Sequence, residues 1–305
     1  MNLGRRYLSN MESIRRGFAF LKQSWQMALD DRDLIKPSIY ALFVGMVVTL
    51  IFSIPMVASF ALFGEQGLGR IAGYLFGAVM VFAQYVVSYL FSAMTIYLIY
   101  SYLAEGDGVM SKAWQMAQRN WLNILSLAAA SMMVSLLQRF IRGKGDSGVR
   151  NALASLLDAV WTQATYLVLP AMVIDGLNLK GGLRRATQIV KENLLLIGVS
   201  LIGVRAVTGI LGFILGGIGI GLGLGVGIWL VRLSGQAVWG LISGISIGTL
   251  IAGLFILVAV IIASYTTTAY HTCLYLWARD VEKARQADGE IVAIQPPLPL
   301  AAVLS

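Results

Sequence analysis

Long apolar runs with almost no charge occupy most of this chain, and they limit the folds that it can adopt. Only 12% of the 305 residues are charged, whereas 58% are hydrophobic. Runs of about 18 or more apolar residues are typical of helices that cross a membrane. The sequence therefore predicts an all-α, polytopic membrane helical bundle of six spans, at about residues 37–63, 71–103, 122–140, 150–174, from 194 onward, and 243–277.

A short sequence pattern occurs three times, each time before a pair of apolar runs. Trp25-Gln-Met-Ala28 recurs as Trp114-Gln-Met-Ala117, and a fainter copy follows at Ala186–Val190. At each copy the apolar residues fall on one helical face and the basic residues lie elsewhere. This pattern predicts three cytoplasmic amphipathic helices, each followed by a helical hairpin, in a pseudo-threefold repeat of units 12–103, 104–174 and 175–277.

The apolar stretch that begins near residue 194 runs to Leu233, which is too long for one crossing. Seven of the twelve residues from Gly216 to Gly227 are glycine, and glycine costs a helix about 1 kcal/mol per residue relative to alanine. We therefore expect the helix to break there. Residues 218–235 would then form a loop, a re-entrant segment or an extra helical span.

The distribution of lysine and arginine predicts the orientation of the chain. With the N-terminus inside, the inner segments carry sixteen basic residues and the outer segments six, in line with the positive-inside rule. We expect a multi-pass protein of a prokaryotic plasma membrane with both termini in the cytoplasm. A single membrane domain would cover residues 1–285, and residues 286–305 would form a short tail.

Two charged residues lie deep inside predicted spans. Arg205 lies about three turns into the fifth span, and Asp158 lies within the fourth. A charge at that depth is costly and marks either a function or an interhelical partner. The two residues are therefore a candidate intramembrane pair, which either forms a substrate or proton site or holds the helices together.

The net charge of +8 and the pI near 9.7 indicate an anionic partner. Because the basic residues flank apolar spans, we assign that partner to anionic lipid and not to nucleic acid. The residues expected at the lipid interface are Arg15, Arg16, Lys22, Trp25, Trp114, Arg184 and Arg185.

The sequence offers no catalytic, cofactor-binding or metal-binding set that fits known chemistry. Gly244-Ile-Ser246-Ile-Gly248 has the spacing of a nucleophile elbow, but it lies in an apolar run and not in a strand-turn-helix setting. One histidine, His271, and one cysteine, Cys273, are too few for a four-ligand zinc site. The repeated small residues at Gly240, Gly244 and Gly248 predict close packing of helices, either within the chain or in a homo-oligomer.

Four stretches of the chain resemble an uncharacterised family of bacterial and archaeal six-span integral membrane proteins, one of the domain-of-unknown-function groups. They are Arg15–Trp25, Gly106–Gly108, Leu169–Gly176 and Ala269–Tyr275. The general plan is also similar to Yip1-type proteins and to the membrane domains of some glycerophosphodiester phosphodiesterases. The resemblance implies the membrane architecture and carries no activity.

The function expected from these features is non-enzymatic. We expect the protein to organise lipid or to scaffold a membrane complex through its amphipathic helices on the inner leaflet. The alternative is a transporter of a small solute or a lipid, with a polar site at Arg205 and Asp158.

Overall fold

Helices make up the regular structure of the part of the chain that the computed structural model describes. It describes the backbone of residues 3–64, 66–143, 148–192, 194–234, 238–288, 296–297 and 299–301, and within the helices it leaves out the side chains of 3–14, 16, 192, 194–205 and 285–288. The α-helices are α1 (Leu3–Asp30), α2 (Lys36–Phe63), α3 (Leu68–Glu105), α4 (Met110–Arg119), α5 (Trp121–Arg142), α6 (Gly148–Ile174), α7 (Leu179–Glu192), α8 (Leu194–Leu233) and α9 (Val238–Asp288).

The described part of the chain is all-helical, as predicted, and six of its helices are long and apolar enough to cross a membrane, in agreement with the six expected spans. The six segments are Arg32–Phe63, Leu68–Glu105, Trp121–Arg142, Gly148–Ile174, Ala206–Leu233 and Val238–Ala284. They correspond to α2, α3, α5, α6, α8 and α9. The predicted boundaries agree with the observed helix ends to within a few residues, except in the glycine-rich region and at the end of α9.

The break expected in the glycine-rich segment is wrong, because α8 continues through it to Leu233. Backbone groups in a bilayer have no water to bond to, so a helix that keeps its internal hydrogen bonds is favoured despite the glycines. The glycines also allow a close approach to α9. A Cβ added to Gly248 would stand 2.6 Å from the carbonyl oxygen of Gly223, and one added to Gly227 would stand 2.8 Å from that of Gly244.

The contacts divide the chain into two compact units. Unit 1 contains residues 1–26, 195–270 and 298–305, and unit 2 contains residues 27–194 and 271–297. In unit 1, α8 packs on α9 through the glycines, and the second half of α1 also packs on α9. There the Phe20 ring meets Tyr270 edge-on at 5.4 Å, and the Tyr265 hydroxyl donates to the Ser24 carbonyl at 3.0 Å.

Unit 2 is built from the α2–α3 and α5–α6 hairpins, with α4 lying on α3 and α7 on α6. The Gln84 amide of α3 donates to the Gly45 carbonyl of α2 at 2.7 Å, which ties the first hairpin together. Gly106 and Gly176 end α3 and α6 with φ angles of 80° and 65°, a left-handed conformation that glycine adopts without strain. These two glycines turn the chain into α4 and α7.

Candidate functional site

The short amphipathic helices of unit 2 bury their apolar faces against protein. On α4 the buried residues are Ala113, Met116 and Ala117, and on α7 they include Ala186 and Ile189. The missing side chain of Gly182 lets α7 approach α6, where an added Cβ would lie 3.1 Å from Val168 and 3.2 Å from Met172. The polar faces of the two helices and the exposed ring of Trp114 are therefore left for a partner.

Two aspartates after α1 hold the start of the second hairpin unit. Asp31 accepts a hydrogen bond from the Gly108 amide at 2.6 Å, and Asp33 accepts one from the Met110 amide at 3.2 Å. Carboxylates are favourable at a helix N-terminus because the first amides of a helix lack partners within it. The sequence interpretation missed this contact, although an acidic pair just outside an apolar run was a visible signal.

Replacing Asp31 by Ala is expected to destabilise the protein by about 1–3 kcal/mol, because the amide of the buried Gly108 loses its acceptor. Unfolding of the purified protein in mixed dodecylmaltoside and SDS micelles measures the effect. Asp107→Ala is the matched control, since Asp107 is an exposed aspartate one residue away. Equal losses in the two variants would show that the Asp31 contact is not the cause.

Asp175 is the centre of a polar cluster where α6, α3 and α9 meet. The Tyr275 hydroxyl of α9 donates to one oxygen of Asp175, and an Arg279 guanidinium nitrogen lies 3.6 Å from the other. The Arg279 guanidinium also lies over the ring of Tyr100 on α3, 5.7 Å from its centroid. The Asp175 carboxylate thus ties the end of α6 to α9, and Arg279 extends the cluster to α3.

A second set of contacts ties α7 to the end of α9. Arg185 forms an ion pair with Glu282, and the Gln188 amide donates to the same carboxylate at 3.1 Å. Partial burial lowers the pKa of the Arg185 guanidinium, but its hydrogen bonds with Tyr275 and Glu282 outweigh that effect and raise the pKa above its ordinary value. Arg185 is therefore a charged anchor of α7 at any physiological pH.

A line of polar side chains runs between the spanning helices of unit 2, and we call it the polar seam. On α3 and α5, the Tyr85 hydroxyl lies 2.5 Å from that of Ser135, and the Tyr89 hydroxyl lies 2.7 Å from that of Ser131. The Trp161 indole of α6 donates to Ser131 at 2.9 Å. The members of the seam are Asp158, Gln138, Ser135, Tyr85, Tyr89, Ser131, Trp161, Thr165, Tyr166, His271, Tyr275 and Asp175.

The seam continues from this middle section toward both ends of unit 2. On one side the Gln138 amide donates to Asp158 at 3.3 Å. On the other side the Tyr166 ring stacks on the His271 ring at 4.1 Å between centroids. His271 is only 3% exposed, and four residues further along α9 the seam reaches Tyr275 and its partner Asp175.

The residues expected at the lipid interface differ in exposure and in their contacts with the rest of the protein. Arg15, Lys22 and Arg184 are exposed, and Trp114 is 45% exposed. Arg185, by contrast, is bound to Glu282. The side chain of Arg16 lies outside the described residues.

The structure places the Trp25 ring against α9, and its insertion into lipid stays a prediction. Its indole nitrogen donates to the Thr266 hydroxyl at 3.3 Å, and its ring meets Tyr265 edge-on at 5.9 Å. Spacing alone placed Trp25 on an apolar face, and that face packs on α9 within unit 1. The related position Trp114 keeps an exposed ring.

Of the candidate intramembrane pair, the structure describes the side chain of Asp158 only. Asp158 lies on an exposed face of α6, with Gln138 as its hydrogen-bond donor. The side chain of Arg205 lies outside the described residues, so the pair stays a prediction. Ser246 lies inside the continuous helix α9 and not at a strand-to-helix turn, and within the described ranges no three His, Cys, Asp or Glu residues form a metal-binding group.

The apolar helices and their polar end clusters define a multi-pass integral membrane protein. In comparisons with models of known protein families and with curated proteins, nothing matches this chain.

Proposed function

We propose that the protein is a non-enzymatic membrane protein that binds anionic lipid at α7 and thereby organises lipid or holds a membrane complex. The observation that carries the proposal is a line of exposed residues on α7, which we call the basic stripe: Lys180, Arg184, Thr187 and Lys191. Their spacing of four, three and four residues places them on one face of the helix. The opposite face is buried on protein.

The surroundings of the basic stripe suit a lipid headgroup. Arg184 and Lys191 line a cavity of about 430 Å³ together with Leu183, Thr187 and Gln188. Arg185 is one position away and its ion pair with Glu282 fixes the helix. Because α7 follows directly on the end of a spanning helix, its charges lie near the level of the headgroups, where each basic residue contributes about 1 kcal/mol of attraction to an anionic surface.

The exposed Trp114 supplies an interfacial anchor at the other amphipathic helix of unit 2. Trp121, at the start of α5, is also exposed, and tryptophan side chains are enriched at the boundary between lipid and water.

The orientation that fits this proposal has both termini in the cytoplasm of a prokaryotic cell. The threefold repeat, the likeness to the uncharacterised six-span family and the homo-oligomer through the glycine-rich helices also stay proposals.

Neutralising the basic stripe tests this function. The triple variant Lys180→Gln, Arg184→Gln and Lys191→Gln is expected to bind phosphatidylglycerol at least tenfold more weakly than wild type. The reason is that all three positive charges of the basic stripe are removed. Native mass spectrometry of the purified full chain, titrated with phosphatidylglycerol or with neutral phosphatidylcholine, measures the affinity.

The matched control removes three exposed arginines next to the loop between α5 and α6, by Arg139→Gln, Arg142→Gln and Arg150→Gln. It changes the net charge by the same amount and is expected to keep the lipid affinity. Equal affinities of the stripe variant and the control variant would rule out the basic stripe as the lipid site.

Transport remains the second candidate, and one observation favours it. Asp158 places a carboxylate on the exposed face of a membrane-spanning helix, and an ionisable residue at such a position is by default functional. A transporter would use it together with Arg205, as the sequence suggests.

A further inference from the structure

We infer that the polar seam of unit 2 is a path for protons across the membrane. This inference is independent of lipid binding at α7, and it does not require Arg205. Along α6 the seam extends from Asp158 to Asp175, seventeen residues or about 26 Å of helix. That length is close to the roughly 30 Å thickness of the hydrocarbon core of a bilayer.

The chemistry of the seam suits proton transfer. Most of its members are hydroxyls, carboxylates or an imidazole, which either donate and accept a hydrogen bond or do so in one of their protonation states. Two hydroxyl pairs, Tyr85 with Ser135 and Tyr89 with Ser131, are already within hydrogen-bond distance. Among the described residues that form the seam, none between the two terminal carboxylates is a lysine or an arginine, whose fixed positive charge would repel a proton.

The steps through the middle section of the seam are short. Ser131, Ser135 and Gln138 follow one face of α5 at intervals of one helical turn, about 5–6 Å between Cβ atoms. A single water molecule bridges two polar groups at that separation. On the other side of Ser131, Tyr89 is also hydrogen-bonded to Thr165, next to the Tyr166 ring that stacks on His271.

The proton balance of the path is simple. A proton enters on the Asp158 carboxylate, passes along the hydroxyls and bridging waters, and is taken up by one nitrogen of His271 while the other nitrogen releases one. It leaves at the cluster of Tyr275 and Asp175. One proton has then crossed, and every residue holds as many protons as before. A return of His271 to its first tautomer and a rotation of the hydroxyls reset the path for the next proton.

The other charged and titratable groups around the seam lie at its Asp175 end. Tyr166 faces His271 from α6, and Tyr275 follows on its own helix. At the Asp175 end, Arg279 pairs with that carboxylate, while Arg185 and Glu282 pair with each other. Hydrogen bonds that only hold helices together need no ionisable residue inside a membrane, whereas this line has carboxylates at both ends and a histidine within it.

The experiment measures proton flux in liposomes that contain the purified full chain. The vesicles enclose the pH-sensitive dye pyranine, and a potassium gradient with valinomycin drives protons inward. Wild-type protein is expected to acidify the lumen faster than empty vesicles do, and Asp158→Asn and His271→Gln are each expected to reduce the added flux at least tenfold. Replacing external sodium salts by choline salts at a fixed external potassium concentration, and therefore at equal potential, separates proton flux from flux of other cations.

Two conservative substitutions complete the test. Tyr89→Phe removes one hydroxyl of the seam and keeps the ring, and it should lower the flux even if the histidine variant fails to fold. Tyr74→Phe is the matched control on the same helix, at a side chain that is 70% exposed, and it should leave the flux unchanged. Wild-type flux no greater than that of empty vesicles, or full flux in folded Asp158→Asn and Tyr89→Phe, overturns the inference.

Discussion

Gly223→Ala is expected to destabilise the α8–α9 pair of unit 1, whereas Gly221→Ala on the same helix is not. A Cβ at residue 223 would stand against the carbonyl oxygen of Gly248, and at residue 221 it would meet nothing within 4 Å. Because the atom in the way belongs to a helix backbone, it cannot swing aside as a side chain would. Overpacking of this kind costs about 1–3 kcal/mol or more.

The change in stability of the control variant, Gly221→Ala, should differ from that of Gly223→Ala in sign as well as in size. Alanine is favoured over glycine in a helix by about 1 kcal/mol, so Gly221→Ala is expected to be neutral or slightly stabilising. Thermal unfolding in detergent, followed by size-exclusion chromatography, ranks the two variants against wild type. Gly248→Ala adds a Cβ at the same contact from the α9 side, and it should destabilise the protein as Gly223→Ala does. Equal stability of the 221 and 223 variants would contradict the packing of α8 on α9.

The glycine contacts show what the sequence could and could not predict about this fold. Each apolar run is long enough to be recognised on its own, and for that reason most span boundaries agree with the observed helix ends to within a few residues. The continuity of α8 was not predicted, because helix propensities describe a solvated helix. The deciding factor was the partner helix α9, whose own glycines, Gly244 and Gly248, accept the close approach.

The candidate site was less predictable because it depends on which helix faces meet. Trp25 and Trp114 have the same sequence setting, yet Trp25 is bound to Thr266 while Trp114 is exposed. The polar seam did leave a signal in the sequence. Tyr85 and Tyr89, like Ser131 and Ser135, are four residues apart within apolar runs, and this spacing places each pair on one helical face.

Arg185→Gln is expected to destabilise the protein by about 2–4 kcal/mol, whereas Arg184→Gln should leave its stability unchanged. The two neighbouring arginines were assigned the same role from the sequence, but the structure separates them. Arg184 is exposed, while the side chains of Arg185 and Glu282 are only 17% and 16% exposed and form an ion pair. Removing one partner of a mostly buried pair leaves the other charge without compensation, and fully buried pairs lose about 3–5 kcal/mol in this way.

A double-mutant cycle makes the test specific to the pair. Glu282→Gln alone should destabilise the protein about as much as Arg185→Gln, and the double variant should lose less than the sum of the two. Unfolding in mixed dodecylmaltoside and SDS micelles provides the free energies. If the two losses simply add, the ion pair does not hold α7 on α9. If Arg184→Gln is as damaging as Arg185→Gln, the basic stripe is part of the packed structure and is not free to meet a lipid headgroup.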